Sequence, residues 1–450
     1  MMQGKDRPSL SRWQMAAYAS PSLPLALVVF PVYVILPGFY ATHTSLDLVT
    51  IGTLLMVARA FDALVDPAIG YLSDAANTRW GRRKPWLVAG TLIMCAATPM
   101  LYMPDTDTSP LAYLLTLLLF YLGVSLIETP HKAWGTELSS DYRTRSLIST
   151  ALAVAFGAGT LTFALMPFLT ASSGVYSAEV LAQVAWVLVI VLPLCTASAL
   201  WRAPAPAGGR SPPMTPWSVL VSVARNRPLC WFLGLFALTG LGQGVFYGLV
   251  FLLLTSVMPF GQSFAEFLLV DAVVTLASLP LWYLAITRWS KHVAWALGSV
   301  IQVAAFGILL MMPVTGPDKD LALVAIALRA LGGSVIYVAP GALLGDIVDY
   351  EMLRSGANRA ANFHSFVSLL TKGTSTVGGG AGLLLVGWSG FDSKIPSATG
   401  ASAFKIISLV LPAVLLMAAA ALAWRFPLTR RRHATVVRAL ARRSASAQRA

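Results

Sequence analysis

Long apolar runs, broken at intervals by prolines, glycines and short charged clusters, set the plan of this 450-residue chain. The runs fall at about residues 15–41, 46–73, 85–104, 110–136, 146–171, 179–202, 229–258, 263–288, 292–314, 319–348, 360–390 and 402–426. Nearly all reach the roughly 20 residues that a helix needs to cross a bilayer. They are continuous and do not alternate apolar with polar, so the pattern predicts helices and not the strands of a barrel. The expected fold class is therefore all-α integral membrane, with twelve transmembrane helices.

The breaks between the runs alternate in chemistry. One set is basic: Arg79, Arg82, Arg83 and Lys84, then Arg143 and Arg145, then Arg202 to Arg227, then Arg288 and Lys291, then Arg354 and Arg359, then Arg430 to Arg432. The other set is poor in arginine, with Asp47, Asp105, Asp107, Glu179, Asp318 and Asp392. Basic loops stay in the cytoplasm, so an even number of spans with basic ends predicts that both termini are cytoplasmic. The longest connection, 203–228, is rich in proline and glycine and reads as a linker between two six-span halves, 1–202 and 229–426. A basic tail, 427–450, follows.

Composition agrees with this plan: 57% of residues are hydrophobic and 11% charged, where soluble domains carry about 25% charged residues. The mean hydropathy is +0.71. The net charge of +13 is spread through loops and tail as membrane topology requires, which argues against nucleic acid as a partner. Three cysteines, Cys95, Cys195 and Cys230, lie in apolar runs with no metal or disulfide spacing. The apolar stretch from Ala17 to Tyr40 is too long for a cleaved signal and reads as the first span. Five scattered histidines form no metal or nucleophile motif, so an enzyme is not expected and no cofactor is called for.

Charges inside the apolar runs are the informative exceptions, because each costs a few kcal/mol or more in a bilayer. The run from Ile51 holds Arg59, Asp62 and Asp66. Asp62 and Asp66 are four apart and share a helix face, with Arg59 one turn before. Two carboxylates and a guanidinium on one stripe suit a cation site; the alternative is a structural network of Asp62 and Asp66 with Arg59 and Lys372. Glu128, Asp271, Arg329 and Lys372 are further charges within runs. Asp271 and Arg329 either pair with each other or line a pathway. Past the stripe, Gly70-x-x-x-Asp74 leads into Arg79-Trp-Gly-Arg-Arg-Lys-Pro-Trp86, the chemistry of a latch between the second and third spans.

The run Ala58 to Pro67, the loop Trp80 to Trp86 and Gly345-Asp-Ile-Val-Asp-Tyr350 together resemble the glycoside–pentoside–hexuronide:cation symporter family, and the likeness extends in order over nearly the whole chain. The resemblance implies the major facilitator fold and cation-coupled uptake by alternating access around a midplane site. It implies that Asp62 and Asp66 bind the coupling ion, Na+ or H+, with Ser125 and Glu128 completing the site. Na+ is a hard cation and suits such oxygen ligands. It further implies coupling roles for Lys372 and Arg59, substrate contacts for Glu128 and Tyr337, and gating roles for Asp74, Arg82, Arg83, Asp346 and Asp349. The pairs open to Asp346 and Asp349 include Arg354 and Arg359, and those open to Glu128 include Arg59 and Lys132. Pro130 predicts a kink just beyond Glu128.

Two departures from the family bear on the substrate. Sugar-carrying relatives place a charged pair midway along span 1, where this chain reads Ser20 to Ala26 without charge, and an arginine on span 5, absent here. The charged contacts for sugar hydroxyls shrink accordingly, and a less polar solute gains weight. The function expected is symport of a small organic solute across the plasma membrane of a bacterium (its inner membrane), by a chain sufficient as a monomer in contact with membrane lipid. The alternatives are a carrier of an amphiphile such as a lysolipid, a proton-driven exporter, and a membrane sensor without flux.

Overall fold

The computed structural model describes residues 11–76, 78–138, 142–170, 175–204, 226–356, 360–394 and 397–447. Among them no strand forms. Eleven helical stretches are long and apolar enough to cross a membrane. A further helix, Ala360–Trp388, occupies the place of the eleventh predicted span. Most of the connection between the halves, 205–225, and Arg359 lie outside the described residues.

The chain divides into two compact units: Met1–Pro212 with Gln262–Ala265, and Pro213–Gly261 with Glu266–Ala450. In the first, span 1 is built from α1 (Arg12–Ala19), α2 (Ser22–Val34) and α3 (Leu36–His43). It is followed by α4 (Leu48–Ala75), α5 (Lys84–Tyr102), α6 (Pro110–Leu138), α7 (Tyr142–Leu169) and α8 (Ala178–Arg202). In the second, α9 (Arg227–Leu252) ends in a π-turn, Leu253–Val257. Then come α10 (Phe264–Arg288), α11 (Lys291–Met311), α12 (Lys319–Gly333), a 3-10 turn Ser334–Tyr337, and α13 (Ala339–Ser355). The unit closes with α14 (Ala360–Trp388), α15 (Ala398–Lys405), α16 (Leu411–Trp424) and α17 (Arg430–Ala447).

Packing in the first unit runs α4 against α6, α5 against α6 and α8, and α2 against α7. Where α5 meets α6 the backbones approach closely. A Cβ on Gly90 would lie 2.7 Å from Ile127 and 2.9 Å from the Gly123 carbonyl oxygen, so only glycine fits without movement. Tyrosines tie this unit across helices: Tyr102 donates to the Val28 carbonyl at 2.5 Å and Tyr40 to that of Leu101 at 2.9 Å. In the second unit α9 packs on α14 and α16, and α11 on α12 and α16. Its core is aromatic, with Phe232 and Phe236 set edge-on to Trp295. Outward-facing Leu64, Leu92, Trp201 and Met311 are largely exposed, the side chains lipid covers in a spanning bundle.

Helices are capped by short polar side chains at several N-terminal ends. Asp47 accepts from Thr50, Ser177 from Val180, Asn226 from Leu229 and Asp318 from Leu321, each supplying a bond the first helical turn lacks. The last helix, α17, carries arginines outward and sets Val436 into the second unit's core.

Candidate functional site

The acidic stripe of α4 faces α6, and its side chains bond across that interface. Asp62 is 2% exposed. Its Oδ2 accepts from Arg59 Nη1 at 3.2 Å, and its Oδ1 accepts from Ser125 Oγ at 2.7 Å. One turn on, Asp66 Oδ1 accepts from Thr129 Oγ1 at 3.1 Å. The two carboxylates and two hydroxyls sit in matched steps, because i and i+4 share a face on each helix. Pro67 and Pro130 follow directly after Asp66 and Thr129. Each removes the helical donor to a carbonyl four residues back, those of Ala63 and Leu126.

Arg59 is held from both sides by aromatic faces. Its guanidinium carbon lies 4.0 Å from the Tyr33 ring centre and 4.2 Å from that of Tyr121. Such contacts are each worth roughly 0.5–2 kcal/mol. The Nε and Nη2 atoms of Arg59 are buried with no hydrogen-bond partner. The rings therefore fix a cation beside Asp62 by stacking as much as by hydrogen bonding. Neither Tyr33 nor Thr129 carries a sequence signal of its own: a hydroxyl or aromatic in a span is ordinary, and only the packing places it here.

Glu128 pairs with Lys132 at 2.6 Å on α6, as one of the two sequence expectations had it, and Thr129 is the α6 side chain bonded to Asp66. Glu128 and Lys132 line a cavity of about 220 Å³ together with Ser22, His131, Leu152 and Phe156. Tyr18 and His131 close one side of that region by exchanging bonds, Tyr18 Oη to the His131 carbonyl and His131 Nε2 with the Tyr18 carbonyl, both at 2.7 Å. Pro130 lies within the continuous helix Pro110–Leu138.

The loop between α4 and α5 holds a dense ionic knot. Arg83 Nη2 pairs with Asp74 and, at 2.7 Å, with Glu137 at the end of α6; its Nη1 donates to Ser73 Oγ at 2.8 Å. Arg82 reaches Glu137 at 3.5 Å. Gly81 turns the loop at φ +92°, a conformation that favours glycine. Gly70, by contrast, has Thr129 at an ordinary 3.7 Å from a built Cβ, so its hydrogen is not what brings these helices together.

In the second unit Asp346 pairs with Lys291 at 2.6 Å, and His433 of α17 lies 3.3 Å from Asp346 and 3.0 Å from Asp349. Arg354 pairs instead with Glu351, one turn away, at 2.9 Å; of the two arginines open to Asp346 and Asp349 it is therefore not the partner seen, and Arg359 lies outside the described residues. Lys372 is part-buried on α14, and Tyr337 ends the 3-10 turn at 69% exposure. Asp271 and Arg329 pair directly. Helices α9 and α14 stack closely, and a Cβ on Gly244 would collide with the Ser375 carbonyl oxygen.

The profile of the family described as MFS/sugar transport protein matches residues 17–430. The Escherichia coli (strain K12) glucuronide carrier protein homolog is 24% identical over 89% of this chain and 89% of its own. The sodium-dependent lysophosphatidylcholine symporter 1-A of Danio rerio is 22% identical, covering 87% of this chain and 81% of its own. Among solved structures, the nucleoside transporter NupG superposes with a TM-score of 0.66 at 14% identity, covering 92% of this chain and all of that one. A bacterial homolog of the lysosomal transporter Spinster gives 0.63 at 17% identity, over 97% and 99%. The helical plan, the acidic stripe and the basic loop thus meet in one assignment: this chain belongs to the MFS/sugar transport family, among its glycoside–pentoside–hexuronide:cation symporter-like members.

Proposed function

We propose that the protein is a cation-coupled symporter that brings a small organic solute, sugar- or glycoside-like, into the cytoplasm by alternating access. Asp62, Asp66 and Ser125, with Thr129 added, hold the coupling cation, Na+ or H+; Arg59 positions Asp62, and Lys372 takes part in coupling. The observation that carries this reading is the near-complete burial of Asp62 against a hydroxyl, one turn from a second carboxylate bonded to another hydroxyl. Arg59, Asp62 and Asp66 together carry one excess negative charge, which a monovalent cation cancels. Cation and solute then each favour the state the other prefers.

Glu128 and its cavity belong to the solute side of this reading, with Tyr337. The knot at Asp74, Arg82 and Arg83, and the cluster at Asp346 and Asp349, are gating elements at the cytoplasmic ends of the spans. Both termini are cytoplasmic, the membrane is the bacterial inner membrane, and one chain suffices. The apolar wall of the Glu128 cavity, with Leu25 and Phe156, favours a second reading in which the solute is an amphiphile.

Cation binding stabilises the state that binds, by about 2.7 kcal/mol at one hundred times Kd. Purified protein titrated with Na+ at constant ionic strength, or with acid, is expected to melt several degrees higher, and the double variant Asp62→Asn/Asp66→Asn to lose the shift. A double variant with the full shift would sink the assignment of the cation site.

A further inference from the structure

Arg329 of α12 and Asp271 of α10 form an ion pair well inside the spans of the second unit. Arg329 is 1% exposed. Its Nη2 also donates to Tyr247 Oη at 3.1 Å, and its Nη1 to Gln243 Oε1 at 3.4 Å. Gln243 in turn donates to Gln302 Oε1 at 2.6 Å. Tyr247 Oη lies 3.3 Å from Asp271 Oδ2. Four helices contribute to this network, and burying its charges carries a desolvation cost that the pairing has to offset.

Two features set it apart from a plain structural pair. Arg329 Nε is buried without a hydrogen-bond partner, so the guanidinium is not in its best-satisfied arrangement. The network is also asymmetric in access: Arg329 is sealed, while Asp271, Tyr247 and Gln243 are each part-exposed. The accessible part of the network is thus a carboxylate, a phenol and an amide, and not the guanidinium. Such a surface accepts hydrogen bonds from hydroxyls and returns a few neutral donors. Its paired charges already cancel. A solute carboxylate has either to lie against Asp271 or to displace it from Arg329, leaving one more uncompensated charge in a low-dielectric site.

We propose that Asp271, held by Arg329 as a positioning residue, is a solute-recognition group of the second unit and selects uncharged glycosides over hexuronides. This rests on the symporter reading and names its substrate class. It also supplies charged recognition that spans 1 and 5 lack.

The test measures binding to the purified full-length protein, with 4-nitrophenyl β-D-glucopyranoside and 4-nitrophenyl β-D-glucuronide as probes that differ at one carboxylate. Wild type is expected to bind the glucoside at least tenfold more tightly. Asp271→Asn is expected to weaken glucoside binding at least tenfold while keeping the cation-induced thermal shift. If the lone substitution strands Arg329 and prevents folding, Asp271→Asn/Arg329→Gln removes both charges; it should fold, keep the cation shift and lose the glucoside. A purely structural pair predicts the reverse, a folded double variant with unchanged glucoside binding, and that result overturns the proposal. So does equal or tighter binding of the glucuronide, or a wild type that binds neither glycoside. Loss of the cation shift in wild type tells against the coupling reading and leaves the glycoside comparison to stand or fall alone.

Discussion

Ser125 shows how much a single hydroxyl controls at the stripe. It is fully buried and donates to Asp62 at 2.7 Å. A hydrogen bond to a charged group is worth about 1.5–3 kcal/mol. Ser125→Ala is therefore expected to weaken the cation response about tenfold or more in a thermal-shift titration, and Ser125→Thr to retain most of it. An unchanged midpoint in the alanine variant would remove Ser125 from the site. Asp62 and Asp66 were legible in sequence because a carboxylate in an apolar run is costly wherever the run folds. Thr129, Tyr33 and Glu137 were not. Their roles come from contacts 63, 26 and 54 residues away in sequence, and local pattern carries no trace of such distances. Glu128 was legible as a charge within a span, but it is only part-buried and pairs with Lys132 one turn on.

At the scale of elements, hydropathy gave the twelve runs, and the helices follow them to within about four residues, except that span 10 runs on to Ser355. The interruptions were harder to read. Span 1 breaks at Ile35 and span 10 at Val338, the π-turn Ile406–Val410 interrupts span 12, and the π-turn Leu253–Val257 closes span 7. Prolines flank the first two breaks, but prolines also sit inside α4 and α6 without ending them, so the residue alone does not decide. Glycines behave similarly. Gly70 stands out in the sequence by its distance from Asp74, yet Gly90 bears the tighter contact. Gly90→Ala is expected to destabilise by about 1–3 kcal/mol, as overpacking does, and to lower the melting temperature in detergent. Gly70→Ala should be close to neutral. Equal melting shifts in the two would contradict the packing described between α5 and α6.

For the whole molecule, the ionisable side chains well within the spans have a consequence for electricity. Arg59 pairs with Asp62, Arg329 with Asp271 and Lys132 with Glu128, while Asp66 bonds to a neutral hydroxyl. A monovalent cation bound at the proposed site would add one positive charge to the state that carries it. A potential of 100 mV, negative inside, favours inward passage of that charge by up to about 2.3 kcal/mol, whichever monovalent ion is used. Glucoside uptake into proteoliposomes is expected to accelerate several-fold when a potassium diffusion potential is imposed, negative inside, with no change in chemical gradient. Indifference to voltage would mean that no step moving the cation's charge limits uptake. If uptake does accelerate, the acidic stripe on α4 acts as a battery terminal, letting the membrane's own field do part of the pumping.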